Sequence, residues 1–547
     1  MHRIFNKYIP MKGKKSLPLF SENTHTWIYF VLLCILAAAM PTSRFVMSLS
    51  QLLMGANWLL EGNYREKFQR FKSNKAAITF LSLFSIYVVA LLWTEDLRYA
   101  LGKNLVDKLP MLTLTFMVAS SKPIRSWQVY LLAYVFFASV LVTSFIGFYV
   151  FITESYTNFR HVSPYISHVY LSMMICMTIG MLPWLTHKLT EDYRLRILAW
   201  VVVAWLIVFL FILNSFTGLI CFGGMILFLF IRFSHRIKSL WIKASIVSLF
   251  LAAIISGVYL ISSMYQLVSK TIEVPKESLS EKSAEGNAYT HSLSNPMREN
   301  GHYVYRFIAD SELREKWNQL SEKEYNGKDV RGNLIRDNVL RYLSSKGERK
   351  DKEALSRLEE EEIRAIERGV TNYLYLEWPG VQTRLHQTVW EIYWYREMGD
   401  PTGFSFAQRL EFWQASWIAF KEKPILGWGT GDIFIAMYYG LESIDSPLDN
   451  YHFKPHNQYL LFLNTFGVLG AILFFLIYWR YVMLSKVWKY LPFNLFLVIM
   501  LVSMLANNPI DAQAGQTFFT FFTLYFGVLY PWKLINNPDN NHTNNKE

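Results

Sequence analysis

Ten long apolar runs constrain this chain more than any other feature of its sequence. Each is long enough, or nearly so, to cross a hydrocarbon core about 30 Å thick as a helix. They cover residues 26–42, 76–93, 126–153, 165–185, 196–214, 215–233, 241–263, 457–478, 490–506 and 513–532. Two weaker runs, 43–60 and 109–121, bring the number of candidate spans to twelve. The sequence therefore predicts an all-α, polytopic integral membrane protein with about twelve transmembrane helices.

The composition agrees with this class. Of the 547 residues, 52% are hydrophobic and 17% aromatic, and only 18% are charged, whereas soluble chains of this length carry more charge. Cys34, Cys176 and Cys221 all lie in apolar runs, so we expect neither a disulfide framework nor a cysteine-based metal site. No small-residue cleavage site follows the first run, which is therefore interpreted as a retained span.

The distribution of Lys and Arg predicts which side each loop faces. With the N-terminus in the cytoplasm, the cytoplasmic segments hold 24 of these residues and the short outer loops hold five. Cytoplasmic loops carry such an excess, so residues 264–455 are placed outside. That loop has 25 basic and 30 acidic residues, and the net charge of +12 therefore comes from the cytoplasmic segments. We expect membrane lipids as partners and no nucleic acid.

The orientation divides the chain into four parts. They are a transmembrane bundle of about nine helices at 1–263, a large and mainly helical outer loop at 264–455, C-terminal transmembrane helices at 456–532 and a cytoplasmic tail at 533–547. Late in the loop, apolar and aromatic residues recur at helical spacing and predict an amphipathic helix at 405–423 against the outer leaflet. The segment 351–369 is also helical by residue choice, with Gly369 as its stop.

Polar side chains collect where the chain meets the outer face. The spans are nearly free of Asp, Glu, Lys and Arg, which transporters usually keep near the bilayer midplane. The candidate polar groups at the outer face are Arg160, His161, Asn214, Arg384, Arg396, Arg409, His456, Asn457 and Asp511. This arrangement favours a reaction at the outer leaflet on a lipid-anchored substrate.

The residue types suit the transfer of a group away from phosphate. Arginine offers forked, permanently charged donors to a phosphate or pyrophosphate leaving group. His456 is suited to act as a general base, and Asn457 or Gln458 would orient its ring or hold a sugar hydroxyl. Gly429 and Gly431 in "GWGTGD" form either a tight turn or a backbone cradle for phosphate. The alternative for His456 and the arginines is an ordinary interface residue that contacts lipid headgroups.

The stretch "HNQYLLFLNTFGVLG" resembles the signature of the O-antigen ligase and polymerase superfamily. His456 and Asn457 are followed by nine residues and then by Gly467 and Gly470, as in that signature. Upstream, "RLEFW", which begins at Arg409, and "KPILGWGTGD" resemble the arginine helix and the glycine stretch of the superfamily. The number of spans and the large late loop agree with the resemblance.

The resemblance implies an inverting, metal-independent glycosyltransferase of the bacterial inner membrane, with its large loop in the periplasm. The donor would be a glycan on undecaprenyl pyrophosphate, and the acceptor a hydroxyl of the lipid A core or of another glycan. Arg409 would bind the pyrophosphate, and His456 would act near the acceptor hydroxyl or the leaving group. The resemblance implies no cofactor and no metal.

Two departures from the family pattern leave alternatives open. Phe216 stands where members often carry a second arginine, so Arg160, Arg384 or Arg396 is expected to replace it. Trp413 stands where the arginine motif has leucine. An O-antigen polymerase or a protein O-oligosaccharyltransferase fits the same motifs. A flippase or transporter and a non-catalytic assembly scaffold are the hypotheses from other classes.

Overall fold

The structure, a computed structural model, describes residues 21–153, 162–236, 238–330, 332–378, 380–449 and 452–530. Nearly all of its regular structure is helical. A two-stranded antiparallel sheet pairs β1 (Arg298–Glu299) with β2 (His302–Tyr303). The predicted all-α class is confirmed in this coarse form.

The helices before the large loop are joined mostly by short turns. They are α1 (Glu22–Ala39), α2 (Arg44–Glu61), α3 (Tyr64–Ser73), α4 (Lys75–Val89), α5 (Leu97–Tyr99), α6 (Leu105–Ser120), α7 (Ser126–Thr153), α8 (His168–Leu189), α9 (Tyr193–Ile212), α10 (Phe216–Phe233) and α11 (Leu240–Ser269). Short polar side chains begin several of them, since Ser43, Asn74 and Ser215 each accept a hydrogen bond from a first-turn amide.

The remaining helices lie in the loop and in the C-terminal part. They are α12 (Asp310–Leu320), α13 (Ile335–Ser345), α14 (Lys352–Ser356), α15 (Glu360–Glu367), α16 (Leu374–Glu377), α17 (Gly380–Met398), α18 (Ser405–Glu422), α19 (Ile433–Glu442), α20 (Gln458–Ser485), α21 (Leu491–Ala506) and α22 (Gln513–Leu524). Two π-helical turns, Ala100–Asn104 and Tyr525–Leu529, precede α6 and follow α22.

Within the described residues, seven helices are long and apolar enough to cross a membrane. They are Lys75–Trp93, Ser126–Thr153, His168–Leu189, Tyr193–Ile212, Phe216–Arg236, Leu240–Ser269 and Gln458–Ser485. Each coincides with one of the ten predicted runs. The other runs also form helices, but α6 and α21 have only 16 residues each and α22 has 12. The total of twelve spans stays a prediction.

The core of the bundle is built around α8 and α22. Most side chains of α8 are buried, and every side chain of α22 from Ala514 to Leu524 is buried. In contrast, the spanning window of α11 has no buried residue, which suits a helix in contact with lipid. The interior helices are therefore fixed by protein packing on all sides.

The loop has a hydrophobic core of its own. Trp317, Tyr325 and Tyr342 are fully buried in it, together with side chains from α12 to α15. This unit contacts α17, because the Arg341 guanidinium lies 4.1 Å from the centre of the Trp390 ring. The prediction of a single helix at 351–369 is wrong, because the structure has two helices there. The segment is divided into α14 and α15, because Glu359 caps a new helix there.

Candidate active site at the start of α20

The glycine stretch and α20 cross at close range. Helix α20 is broken at Gly467, whose φ of 64° and ψ of −172° are not helical. Residues 424–429 form backbone hydrogen bonds with the residues on either side of the break. Trp428 N donates to Asn464 O at 2.7 Å and Gly429 N to Thr465 O at 3.1 Å, while Val468 N donates to Pro424 O at 2.8 Å. Backbone groups that the break would leave unpaired are thereby satisfied.

Glycine is required at this crossing because no side chain fits. A Cβ on Gly467 would lie 2.1 Å from Ile425 O, and one on Gly427 would lie 2.5 Å from Gly467 N. Gly431 N donates to Thr94 Oγ1 at 3.4 Å. The amides of Gly429 and Gly431 are therefore engaged by the protein itself, and their predicted contact with phosphate stays a prediction.

We expect Gly467→Ala to destabilise the protein strongly. The backbone conformation alone costs a non-glycine residue about 1–3 kcal/mol. The overlap of the added Cβ with the backbone of Ile425 increases this cost. The measurement is thermal unfolding in detergent, with Gly223→Ala in α10 as the matched control, since a Cβ there meets nothing within 4 Å. Equal unfolding temperatures for the two variants would contradict this account of the crossing.

Asp432 ends the glycine stretch and fixes it to the turn after α4. Its carboxylate accepts from Glu95 N and from Asp96 N, both at 2.8 Å, and its side chain is buried. Thr430 Oγ1 donates to Tyr87 O at 2.6 Å. Sequence reasoning missed this contribution of Asp432. Its hydrogen bonds hold the turn that leads into Tyr99 beside the start of α20.

Helix α20 begins at a polar junction with the segment after α21. Asn457 caps the helix by accepting from Tyr459 N and Leu460 N, and its side chain donates to Leu505 O at 3.1 Å. The Gln458 side chain is buried and accepts from Ile510 N at 3.1 Å. The structure thus gives both predicted amides a positioning role: they join the start of α20 to residues 505–510.

His456 stands immediately before this cap with a φ of 49°, in the left-handed region. Its half-buried ring lies 6.2 Å from the Phe412 ring on α18. Burial and then the nearby Arg409 guanidinium lower the pKa of His456 to about 4, against the opposing effects of Asn507 and Asp511. The imidazole is therefore neutral at physiological pH.

Arg409 lies on α18 and acts electrostatically on His456. Helix α18 covers the predicted 405–423 helix to within one residue. Packing between α18 and α20 brings the two residues together. Asn464 Nδ2 donates to Ser416 Oγ at 2.6 Å and to Ser416 O at 3.0 Å, and all three groups are buried. The structure thus brings together the two residues to which the sequence assigned the chemistry. The permanent positive charge of Arg409 thus acts on a neutral imidazole.

Comparison with protein families tests the resemblance. Residues 368–475 match the family model described as O-antigen ligase. This segment is similar to the O-antigen ligase family. The recognition made from His456 and the glycines is confirmed, and the match contains α17, α18, α19 and the first part of α20. Comparison with curated proteins gives no match.

The other predicted arginines lie apart from one another. Within the matched residues 368–475, Arg384 is half-buried on α17 and donates to Ser405 Oγ at 3.1 Å, at the start of α18. Arg396 is exposed near the end of α17. Arg160 lies outside the described residues. Phe216, the first residue of α10, is 55% exposed.

Sequence reasoning named Asp511 among the polar groups but missed the buried charge cluster that it forms with two lysines. Asp511 lies between two lysines: Lys454 Nζ is 2.6 Å from Asp511 Oδ2, and Lys108 Nζ is 3.1 Å from Asp511 Oδ1. Lys108 also donates to Asp511 O at 2.6 Å. Burial alone would lower the pKa of Lys454, but the Asp511 carboxylate outweighs it and the pKa is raised. The one available signal was the position of Lys454, two residues before His456.

An apolar cavity of about 630 Å³ opens between α20 and α21. Its lining begins at Tyr459, the second residue of α20, and continues through Phe475 to Val482. Tyr459 OH donates to Leu501 O at 2.9 Å across the outer end of this cavity. The cavity therefore follows the membrane-facing part of α20 from the neighbourhood of His456.

Proposed function

We propose that this protein is an O-antigen ligase-like inverting glycosyltransferase. It moves a glycan from undecaprenyl pyrophosphate to a hydroxyl of the lipid A core oligosaccharide at the periplasmic face of the bacterial inner membrane. The observation that carries the proposal is the pairing of a neutral His456 with Arg409 at the start of a spanning helix, within the residues that match the O-antigen ligase family.

The proposed reaction needs one proton acceptor and one anion-binding group. The acceptor oxygen attacks the anomeric carbon, a carbon–oxygen bond forms with inversion, and the bond from that carbon to the pyrophosphate breaks. The proton of the acceptor hydroxyl passes to the neutral His456 imidazole. Arg409 binds the pyrophosphate, whose negative charge increases as it leaves. The first role requires an unprotonated base and the second a permanently protonated cation, and His456 and Arg409 are groups of these two kinds.

The membrane placement is part of the proposal. The Lys and Arg asymmetry supports a cytoplasmic N-terminus, a bundle at 1–263, a periplasmic loop at 264–455, C-terminal helices at 456–532 and a cytoplasmic tail at 533–547. In this orientation α18 lies against the outer leaflet, and His456 faces the region of the lipid phosphates. The apolar cavity beside α20 suits the polyprenyl chain of the donor.

The test is transfer by the purified full chain in nanodiscs. The donor is undecaprenyl pyrophosphate carrying a labelled glycan, the acceptor is rough lipopolysaccharide, and a chelator is present throughout. Label on lipopolysaccharide supports the ligase. Lengthened lipid-linked glycan instead identifies a polymerase, and label on an added periplasmic protein identifies an O-oligosaccharyltransferase. Label on none of these acceptors, with donor lipid crossing the bilayer when the same protein is reconstituted in sealed vesicles, would replace the proposal by a flippase.

The pH dependence of transfer follows from the state of His456. Because its pKa is about 4 in the free protein, we expect kcat/KM for the donor to stay level between pH 8 and pH 5 and to fall as pH approaches 4. Bound pyrophosphate is negative and favours the imidazolium, so kcat should begin to fall at a higher pH than kcat/KM. Initial rates at limiting and saturating donor give both profiles. An acid limb of kcat/KM near 6.5 would contradict the assigned environment.

A further inference from the structure

The cluster of Lys108, Asp511 and Lys454 holds more positive than negative charge. Lys108 is 1% exposed and Asp511 10%, and these two groups alone form a neutral buried pair. Lys454 adds a second cation to the same carboxylate, although its side chain is only 22% exposed. Buried charges in proteins are normally compensated. The extra positive charge of the second lysine therefore indicates a binding site for an anion, which would neutralise it.

Neighbouring carboxylates do not remove the surplus. Asp107, next to Lys108 in the chain, forms an ion pair with Lys103 at 3.2 Å. Asp432 accepts from two backbone amides. On the other side, Arg409 and Lys454 both lie close enough to His456 to disfavour its protonation. The charged groups that act on His456 are thus two cations, Arg409 and Lys454, and one carboxylate, Asp511.

Lys454 is held in place before any ligand arrives. Its ammonium lies 5.6 Å from the centres of the Tyr99 and Phe434 rings and 2.6 Å from Asp511 Oδ2. Tyr99 is itself positioned by the turn that Asp432 fixes, since Tyr99 N donates to Asp96 Oδ1 at 2.8 Å. A lysine fixed in this way loses little side-chain entropy when it binds an anion.

We propose that Lys454, oriented by Asp511, is the second cation of the donor site and binds the pyrophosphate together with Arg409. This inference rests on the proposed function. Lys454 thereby replaces the second pyrophosphate-binding arginine, for which the sequence analysis had named Arg160, Arg384 and Arg396 as candidates. Of the described arginine candidates, Arg384 is engaged with Ser405 and Arg396 is exposed, and neither is among the charged groups that act on His456. Asp511 is a positioning residue, because it acts through Lys454.

The test is lipid binding by the full chain in phosphatidylcholine nanodiscs, which offer no anionic headgroup. Undecaprenyl pyrophosphate and undecaprenol are compared for wild type and for Lys454→Gln. We expect the variant to bind the pyrophosphate lipid at least tenfold more weakly and undecaprenol equally well. Inorganic pyrophosphate should compete in wild type and compete less in the variant. The variant keeps the neutral pair of Lys108 with Asp511, so it should unfold at the wild-type temperature.

The matched control is Lys421→Gln, which removes a lysine near the Trp417 ring at the other end of α18. It should bind both lipids as wild type does. A wild-type preference for the pyrophosphate lipid that Lys454→Gln retains in full would overturn the assignment of Lys454 and leave the proposed function standing. The absence of any preference in wild type would overturn the donor assignment itself, and the inference with it.

Discussion

Replacing His456 should lower glycan transfer by about 10²–10⁴-fold, the usual effect of removing a general base. The ring is neutral and half-buried, and the proposed function makes it the proton acceptor for the attacking hydroxyl. Pyrophosphate binding should change little, because Arg409 and Lys454 remain. The loss should therefore appear in kcat more than in the binding of donor lipid. Initial transfer rates and lipid binding, measured on the same preparation, separate the two effects.

The choice of variant matters because His456 has a φ of 49°. Asparagine tolerates the left-handed region better than alanine does, so His456→Asn isolates the loss of the base from backbone strain. The control is His452→Ala, an exposed histidine four residues earlier whose ring contacts Phe434. It should transfer glycan at the wild-type rate. Full activity of His456→Asn would contradict the role proposed for the imidazole.

Asp511→Asn should produce the largest loss of stability. The change leaves Lys108 and Lys454 facing each other around a neutral amide in a buried position. Breaking a buried ion pair by removing one partner costs about 3–5 kcal/mol, because a charge is left uncompensated. Lys108 Nζ keeps its contact with Asp511 O, which limits but does not cancel the loss. Thermal unfolding in detergent should show a clear decrease in midpoint, and the folded fraction should fall on expression.

A second substitution distinguishes charge repulsion from a general disturbance of the turn. Adding Lys108→Met to Asp511→Asn removes one of the two opposed cations and should recover part of the lost stability. Asp445→Asn is the control, since that aspartate is exposed and its φ of 49° suits asparagine. An unfolding midpoint for Asp511→Asn equal to that of the control would show that the two lysines do not depend on this carboxylate.

The spanning helices and the superfamily motifs could be predicted because their signals are local. An apolar run of 20 residues must form a helix in lipid, where each backbone group needs an internal partner. The arginine helix is similar: spacing predicted 405–423, and α18 covers Ser405–Glu422. His456 and the glycines after it form one continuous motif, so a single stretch carried the recognition.

The length of the shorter helices could not be predicted from apolar runs. The run at 513–532 becomes α22 and a π-helical turn, and the run at 109–121 becomes part of α6, which begins at Leu105. Both are buried against other helices, where protein contacts replace those that lipid would make. Hydrophobicity alone does not distinguish a side chain that faces lipid from one that faces protein.

The sequence by itself determined the membrane class, the arginine helix and the histidine at the start of α20. Only the tertiary structure decided that Gly427 and Gly467 cross with no room for a side chain, and that Lys108 meets Asp511, 403 residues away. The physical reason is that both features depend on contacts between distant segments. A lysine near an apolar run looks like an ordinary interface residue until packing removes it from water and gives it a carboxylate partner. The neutrality of His456 follows from the same kind of packing, because burial of the ring, and after it the nearby Arg409, lowers its pKa.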